Sequence, residues 1–257
     1  SAVNFERILK YSNARYVYGL TATPIRKDGH QPIIFMQCGP IRYSADAKTQ
    51  MASQTFERLL IPRFTNYREL TDDKKTYTQT IQGMSNDICR NTRIIDDVCK
   101  ALQDGRSPII LTNLTSHVEI LATMLTSKCK NVITLVGSES VKEKRLKMER
   151  LQNIPRTELL AIVATGKYVG EGFDYPRLDT LFLTLPVSWK GIVAQYAGRL
   201  HREYPGKKDV IIYDYIDIHL SLCDTMYKRR LKGYAAGGYK LSTINPTNLF
   251  HDSPDII

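Results

Sequence analysis

Three polar residues, Gln195, Arg199 and Arg202, form the pattern best suited to chemistry on a phosphate group. Their i, i+4 and i+7 spacing places them on one face of a predicted helix. Two guanidinium groups on one face repel each other unless an anion joins them, and arginine forks bind phosphate oxygens well. The pattern therefore predicts a site for a nucleotide polyphosphate. The alternative is a solvated surface on which the arginines pair with Glu203 or with aspartates.

A glycine-rich segment, ATGKYVGEGFDYP at residues 164–176, is a second candidate site. It follows a predicted buried strand, and Gly166, Gly170 and Gly172 would let a ligand approach the backbone closely. Asp174 is suited to accept a hydrogen bond from a ribose hydroxyl. The alternative is an ordinary glycine-rich turn, because the segment lacks the GxGxxG fingerprint of dinucleotide enzymes.

A third candidate is the stretch GLTATP at residues 19–24, in which Thr21 and Thr23 place two hydroxyl groups after a predicted strand. An ordinary strand-to-turn exit is the alternative. The sequence also predicts a strand over residues 15–20 and a short strand pair over 32–44.

The elements that must position these residues are predicted from apolar runs alternating with amphipathic stretches. The runs are rich in Ile, Val and Leu and show little alternation, as in a parallel sheet covered on both faces. Alternating strands and helices predict an α/β fold, a doubly wound parallel sheet, with ligands beyond the carboxyl ends of the strands. The predicted strands are 108–112, 131–136, 159–165, 180–185 and 209–215, and the predicted helices are 86–103, 116–128, 141–152 and 190–201.

Composition agrees with a polyanionic partner. The chain has 36 lysines and arginines against 26 acidic residues, a net charge of +10, and 42% of its residues are hydrophobic. Such a surplus of positive charge favours nucleic acid, although many proteins are mildly basic. The five cysteines are dispersed without a CxxC pair, which argues against a disulfide framework and against zinc. No run of 18 apolar residues is present, so no transmembrane helix is expected.

Four stretches, taken together and in this order, resemble the motifs of superfamily 2 helicases and translocases. TATP resembles motif III, PIILTNLTSHVEIL motif IV, VATGKYVGEGFDYP motif V and QYAGRLHR motif VI. The resemblance covers residues 1 to about 220. The EGFD form of motif V and LTATPIRKDG resemble the DNA-repair, restriction-subunit and XPB-like branch rather than the DEAD-box branch. The resemblance implies a RecA-like fold.

The resemblance also implies roles for matching residues at a nucleotide. Arg202 matches the arginine finger that reaches the γ-phosphate, Arg199 matches its companion, and Gln195 opens the same motif. Residues of motif V would line the nucleotide, and the motif III hydroxyls would couple the ATP state to domain closure. These cofactor-binding positions are Gly170, Gly172, Asp174, Thr21 and Thr23.

A second set of positions is implied to bind the backbone of a nucleic acid. Thr165 and Gly166 match the part of motif V that touches the backbone, and two other strand ends lie on the face where the family binds phosphates. The complete set is Thr112, Asn113, Gly137, Ser138, Thr165 and Gly166. No residue is predicted to bind a metal.

The chain departs from the family pattern in one respect: it contains neither a GxxxxGK[ST] Walker A loop nor a DEAH-like Walker B box. The lysine and carboxylates that bind ATP and Mg²⁺ are therefore expected outside this chain, which would not hydrolyse ATP alone. Residues 1–50 are predicted to be the tail of a first RecA-like domain, 51–235 the second RecA-like domain, and 236–257 a loosely attached tail.

These inferences predict the C-terminal half of an ATP-dependent helicase or translocase, with nucleic acid, preferably DNA, and the missing first RecA-like domain as partners. The expected location is the cytoplasm of a bacterium. One alternative is a nucleic-acid-binding module that kept the fold without the motor activity. Another is the motor subunit of a restriction or defence system, and a third is a Rossmann-type dinucleotide enzyme, against which the missing GxGxxG argues.

Overall fold

The computed structural model describes residues 2–20, 31–44, 56–69, 75–170, 173–187 and 192–242. The chain divides into two compact units, Ser1–Gln54 and Thr55–Ile257. Among the described residues, no helix is long and apolar enough to cross a membrane.

The described part of the first unit contains helices α1 (Ala2–Lys10) and α2 (Gln31–Cys38). The strand predicted over 15–20 is wrong, since these residues form no regular element. The strand pair predicted over 32–44 is wrong as well, because most of its first half is helical. A short apolar run such as PIIFM cannot be assigned to strand or helix by periodicity alone. Pro32 is tolerated there because it lies in the first helical turn, where no intrahelical N–H bond is lost.

The second unit is built on a seven-stranded, all-parallel sheet with the strand order β3-β4-β2-β5-β6-β1-β7. This confirms the predicted α/β class. The strands are β1 (Glu57–Thr65), β2 (Pro108–Thr112), β3 (Asn131–Leu135), β4 (Leu160–Thr165), β5 (Thr180–Leu183), β6 (Asp209–Asp217) and β7 (Lys240–Leu241). The helices are α3 (Tyr77–Asn86), α4 (Ile88–Gln103), α5 (Thr115–Thr126), α6 (Val141–Gln152), α7 (Gly166–Gly170), α8 (Ile192–Leu200) and α9 (Ser221–Ala236).

All five predicted strands and four predicted helices are present, with ends that differ by only a few residues. Strands β1 and β7 are the two elements of the sheet that the sequence did not predict, and β1 is the longer of them. Its run ERLLIPRFT contains Pro62, and a proline argues against a central strand. The structure accommodates it because β7 pairs with β1 only at Leu59 and Leu60, so Pro62 has a sheet partner on the β6 side alone among the described residues.

Helices cover both faces of the sheet. On one face, α4 and α5 pack on side chains such as Ile110, Val163 and Phe182. On the other face, α6, α7, α8 and α9 pack on the alternate residues of the same strands, such as Leu111 and Ile162. Because both faces are buried, the strands read as continuous apolar runs. The result is a buried sheet whose carboxyl-end loops hold the candidate site residues.

Candidate nucleotide and nucleic-acid sites

Arg202 lies two residues beyond the end of α8 and pairs with Asp174. The Arg202 Nε lies 3.2 Å from Asp174 Oδ1, and the two side chains are 55% and 43% exposed. Their residues are 28 positions apart in the sequence. The structure thus joins the ends of the two predicted nucleotide-binding segments, 164–176 and 195–202. The alternative of a surface ion pair with an aspartate describes the contact of Arg202 in this structure, and that aspartate, Asp174, is the residue predicted to bind the nucleotide.

The other two residues of the arginine pattern lie on α8 itself. Arg199 is partly buried in its last turn, and Gln195 is exposed. Within the described part of the chain, Arg199 has no ion pair. Only Asp174 bonds to the Arg202 side chain there, and it does so through Nε. The terminal guanidinium nitrogens of both arginines therefore remain available to an anion.

Gly166 brings the glycine-rich segment against α8. It is buried at the start of α7, and a methyl group added there would overlap the hydroxyl of Tyr196 and lie 2.9 Å from its Cζ. Burial raises the pKa of Tyr196 to about 12, so its hydroxyl stays protonated. Only glycine permits this approach between α7 and the helix that carries Arg199. The sequence pointed to close backbone approach at Gly166, but toward a ligand and not toward a tyrosine.

The predicted nucleic-acid-binding residues lie at the carboxyl ends of three neighbouring strands. Thr112 at the end of β2 is the register partner of Thr165 at the end of β4, and β3 lies on the other side of β4. Gly137 and Ser138 follow β3, and Lys167 lies beside this loop, since its Cδ would be 3.5 Å from a methyl group added at Gly137. Tertiary structure therefore gathers these positions at one edge of the sheet.

Their exposure differs strongly. Asn113 and Ser138 are exposed, whereas Thr165 and Gly166 are buried. The Asn113 amide donates to the Pro186 carbonyl over 3.5 Å. Among the described residues, the buried Thr165 hydroxyl has no hydrogen-bond partner. Backbone groups and Asn113 are thus better placed than the threonine hydroxyls to meet a phosphate.

Thr112 belongs to a buried polar chain beneath this edge. Its hydroxyl lies 2.8 Å from His117 Nδ1, and His117 Nε2 lies 2.9 Å from Asn91 Oδ1. Burial, and then the nearby charge of Arg90, lower the pKa of His117 to about 3. Arg90 in turn binds Asp217 at the end of β6, Nε to Oδ1 at 2.9 Å. Thr112 therefore contributes to the support of the loop and not to its surface.

Two lysines that the sequence did not single out lie at the same edge. Lys144 on α6 donates to the Gly137 carbonyl over 3.3 Å and lies 5.4 Å from the ring centre of Tyr168. Lys167 is exposed, and its stem lies near Gly137. The fold brings two cations of α6 to the loop after β3: Lys144 reaches the Gly137 carbonyl, and Lys147 binds Glu139. We refer to Lys144 and Lys167 as the edge lysines.

Three predicted positions, Thr21, Thr23 and Gly172, lie outside the described residues. Gly170 is the last residue of α7. Among the described residues, no group of three or more His, Cys, Asp or Glu side chains could hold a metal ion. Arg199 and Arg202 offer the kind of donors that bind phosphate oxygens.

The parallel sheet, its helices and this edge define an α/β domain of the RecA-like class. The crystal structure of T4 UvsW has the same fold, with a TM-score of 0.57 and 22% identity over 72% of this chain and 41% of UvsW. No protein-family model matches the chain.

Curated relatives are more specific. The chain is 23% identical over 246 residues to probable helicase D10 of Escherichia phage T5, covering 95% of the chain and 52% of D10. It is 22% identical over 214 residues to transcript termination protein A18 of Fowlpox virus, covering 81% of the chain and 45% of A18. The chain thus spans about half the length of these relatives.

A shorter relative is more similar. Protein 108L of Invertebrate iridescent virus 3, itself uncharacterized, is 34% identical over 91 residues, which are 81% of its length and 35% of this chain. The chain belongs to the same family as 108L. It is also similar to a helicase, D10, and the helicase relatives resemble superfamily 2 as the sequence motifs do. The branch within the superfamily, like the predicted domain boundaries and site residues, stays a prediction.

Proposed function

We propose that this chain supplies the second RecA-like half of an ATP-driven motor that acts on nucleic acid, with DNA as its polymer. The observation that supports this best is the Arg202–Asp174 pair, 3.2 Å from Nε to Oδ1. A surface pair this exposed contributes only about 0–1 kcal/mol to stability, so structure alone gives little reason for it. A nucleoside triphosphate could bind both side chains, since the Arg202 guanidinium can donate to phosphate oxygens and the Asp174 carboxylate can accept from ribose hydroxyls.

In this proposal Arg199 and Arg202 hold the phosphates, and Asp174 with Gly170 and Gly172 lies at the ribose. Hydrolysis of the bound ATP supplies the free energy that drives the motor. The arginines stabilise negative charge on the transferred phosphoryl group, which is the largest contribution that side chains make to such reactions. Gln195, one turn before Arg199 on α8, belongs to the same site, and Thr21 and Thr23 couple the ATP state to domain closure.

The remaining catalytic parts are assigned to a partner domain in the same protein. The chain contains no GxxxxGK[ST] sequence, and its curated relatives are about twice as long. We therefore place the phosphate-binding lysine and the Mg²⁺ ligands in a first RecA-like domain, of which the first unit is the end.

The carboxyl edge of β2, β3 and β4 is the proposed contact with the polymer. Backbone groups at Gly137, Ser138 and Gly166, together with Asn113, would bind phosphates. Contacts of this kind position a protein on a strand without selecting a sequence. The name of A18 refers to transcripts, so RNA is the competing polymer.

The test is ATP turnover by the full-length protein that contains this chain, measured without polymer and with single- or double-stranded DNA or RNA. Arg202→Ala should lower kcat by about a hundredfold or more, because an arginine finger acts mainly in the transition state. Arg229→Ala is the matched control, since Arg229 is an exposed helical arginine on α9.

A polymer-stimulated rate that collapses only in Arg202→Ala supports the motor, and the polymer that stimulates most is the substrate. If the wild-type protein binds nucleic acid but turns over no ATP, the proposal is wrong and the chain is a binding module. If Arg202→Ala and Arg229→Ala behave alike, Arg202 is not the finger.

A further inference from the structure

The side chain of Lys207 joins the two segments that carry Asp174 and Arg202. Its Nζ donates to the carbonyl oxygens of Pro176 over 2.8 Å, Leu200 over 2.9 Å and Arg202 over 2.7 Å. An ammonium group has three N–H donors, so all of them are used. Two acceptors lie at the end of α8 and beyond it, and the third lies two residues after Asp174.

Local structure explains why the lysine reaches this position. Helix α8 ends at Leu200, and its last carbonyl groups have no intrahelical donor. The chain then turns back through Gly206, whose φ of 86° is the left-handed conformation that glycine adopts freely. The turn is closed by the Lys207 N–H, which donates to the Tyr204 carbonyl over 3.0 Å. This turn brings Lys207 back to the carboxyl end of α8, where its side chain reaches the Leu200 carbonyl.

The environment is unusual for a lysine. Burial lowers the pKa of Lys207 to about 8, while the Asp179 carboxylate acts in the opposite direction. In the described part of the chain, Lys207 forms no ion pair within salt-bridge distance, so its direct partners there are three carbonyl oxygens, with Asp179 acting only from farther away. Desolvating a cation for three neutral acceptors costs free energy. A surface lysine that only kept the chain soluble would have no need of this arrangement.

We propose that Lys207 is a positioning residue that holds the Arg202 backbone against the Asp174 segment, so that Arg202 is preorganised for the phosphate. This inference rests on the proposed motor function. Arg202 lies beyond the last residue of α8, where the helix no longer fixes its backbone. Lys207 replaces that restraint with bonds to Arg202's own carbonyl and to Pro176. Preorganisation matters because small misplacements of a catalytic group lower rates strongly.

The experiment is steady-state ATP turnover of the full-length protein carrying Lys207→Met, with Lys208→Met as the matched control. Lys208 is the adjacent exposed lysine, so both changes remove one charge from the same turn. Lys207→Met should lower kcat about tenfold and leave the KM for ATP within about twofold. Lys208→Met should change neither value, and Lys207→Gln, which keeps a donor, should lie between wild type and Lys207→Met.

A purely structural role is distinguished by combining Lys207→Met with Arg202→Ala. If Lys207 acts through Arg202, adding Lys207→Met to the Arg202→Ala variant should lower kcat no further, because the effects of residues that act as a unit are not additive. An equal further loss in the Arg202→Ala background would overturn the proposal. An unchanged kcat in Lys207→Met alone would overturn it as well.

A second readout keeps this inference separate from the motor function. In the 257-residue chain, the Nε–Hε resonance of Arg202 reports its pairing with Asp174 by NMR. Its hydrogen exchange should become several-fold faster in Lys207→Met and stay at the wild-type rate in Lys208→Met. Equal exchange in all three proteins would overturn the proposal even if ATP turnover is found. Faster exchange without any ATP turnover would retain the positioning role and reject the motor.

Discussion

The ring of His117 shows how burial decides the chemistry of a single residue. It is completely buried, and each ring nitrogen has one side-chain partner, Thr112 or Asn91. Burial and the charge of Arg90 lower its pKa from 6.5 to about 3. The ring therefore stays neutral in the folded chain, and His117 serves as a polar core residue and not as an acid or base. His201 resembles it, since burial lowers its pKa to about 4.

The pH dependence of stability follows from this shift. Below the ordinary histidine pKa of 6.5, His117 binds a proton in the unfolded chain but stays neutral in the folded chain. Its contribution to stability is therefore fully present above that pH and is lost as the pH falls towards about 3. His117→Gln should flatten the decline by about 1 kcal/mol per pH unit. The measurement is the free energy of unfolding in urea between about pH 7.5 and pH 5.

His219→Gln is the control for this series, because His219 is exposed. An equal slope in His117→Gln and wild type would show that His117 is not the group that titrates. His201→Gln should also flatten the decline, since His201 shares the same direction of shift.

At the scale of elements, α9 is attached to β6 by a buried ion pair. Arg230 donates to Asp214 through Nε at 2.8 Å and a terminal nitrogen at 2.9 Å, and Tyr234 donates to the same carboxylate over 3.0 Å. Arg230 also donates to the Val187 carbonyl over 3.1 Å. The segment MYKRRLKGY, residues 226–234 of α9, has aromatic and basic side chains that could stack on bases or pack on the domain. Packing is the outcome for Arg230 and Tyr234, which are 1% exposed.

Breaking this pair should be costly. Arg230→Met should lower the free energy of unfolding by about 3–5 kcal/mol, because it leaves the Asp214 carboxylate buried without its counter-charge. The double variant Arg230→Met with Asp214→Asn should recover much of the loss, since no buried charge remains and Tyr234 keeps an acceptor. Urea or thermal unfolding measures both.

Arg229→Ala is the matched change on the same helix and should stay within about 0.5 kcal/mol of wild type. If the double variant were less stable than Arg230→Met alone, the pair would act through its hydrogen bonds and not through its buried charge.

At the scale of the whole molecule, the net charge of +10 has a local counterpart at the carboxyl edge of the sheet. Of the edge lysines, Lys144 donates to the Gly137 carbonyl in the loop after β3, and the stem of Lys167 lies near the same glycine. Lys130 lies just before the amino end of β3 and is 83% exposed, at the opposite end of the strand. A polymer bound at the carboxyl edge would therefore respond to the first two lysines and not to Lys130.

Binding of an oligonucleotide by the chain should depend on salt through these contacts. Lys144→Ala and Lys167→Ala should each weaken binding and reduce the slope of log K against log salt by about one, as expected when one phosphate contact is lost. Lys130→Ala should leave the slope unchanged. Fluorescence anisotropy at several salt concentrations measures this, and an equal effect of all three changes would point to diffuse attraction.

Much of the fold could be predicted because it is encoded locally. Five strands buried on both faces appear as continuous apolar runs, and helices such as α6 begin at a clear capping box at Ser140. Where local signals conflict with context, the predictions were wrong or incomplete. An apolar run became α2, and β1, with its internal proline, joined the sheet because β6 offered a partner along its whole length.

By itself, the sequence determined the class of the domain and the residue types at its edge: two arginines at helical spacing, a glycine-rich segment and the strands that end beside them. Only the tertiary structure decided which of them meet. Arg202 forms an ion pair with Asp174, and the Tyr196 hydroxyl packs against Gly166. Lys207 donates to the carbonyl oxygens of both Pro176 and Arg202. These contacts depend on strand order and on the turn after α8. The reason is physical: periodicity reports burial along one segment, whereas contacts between segments require the assembled sheet.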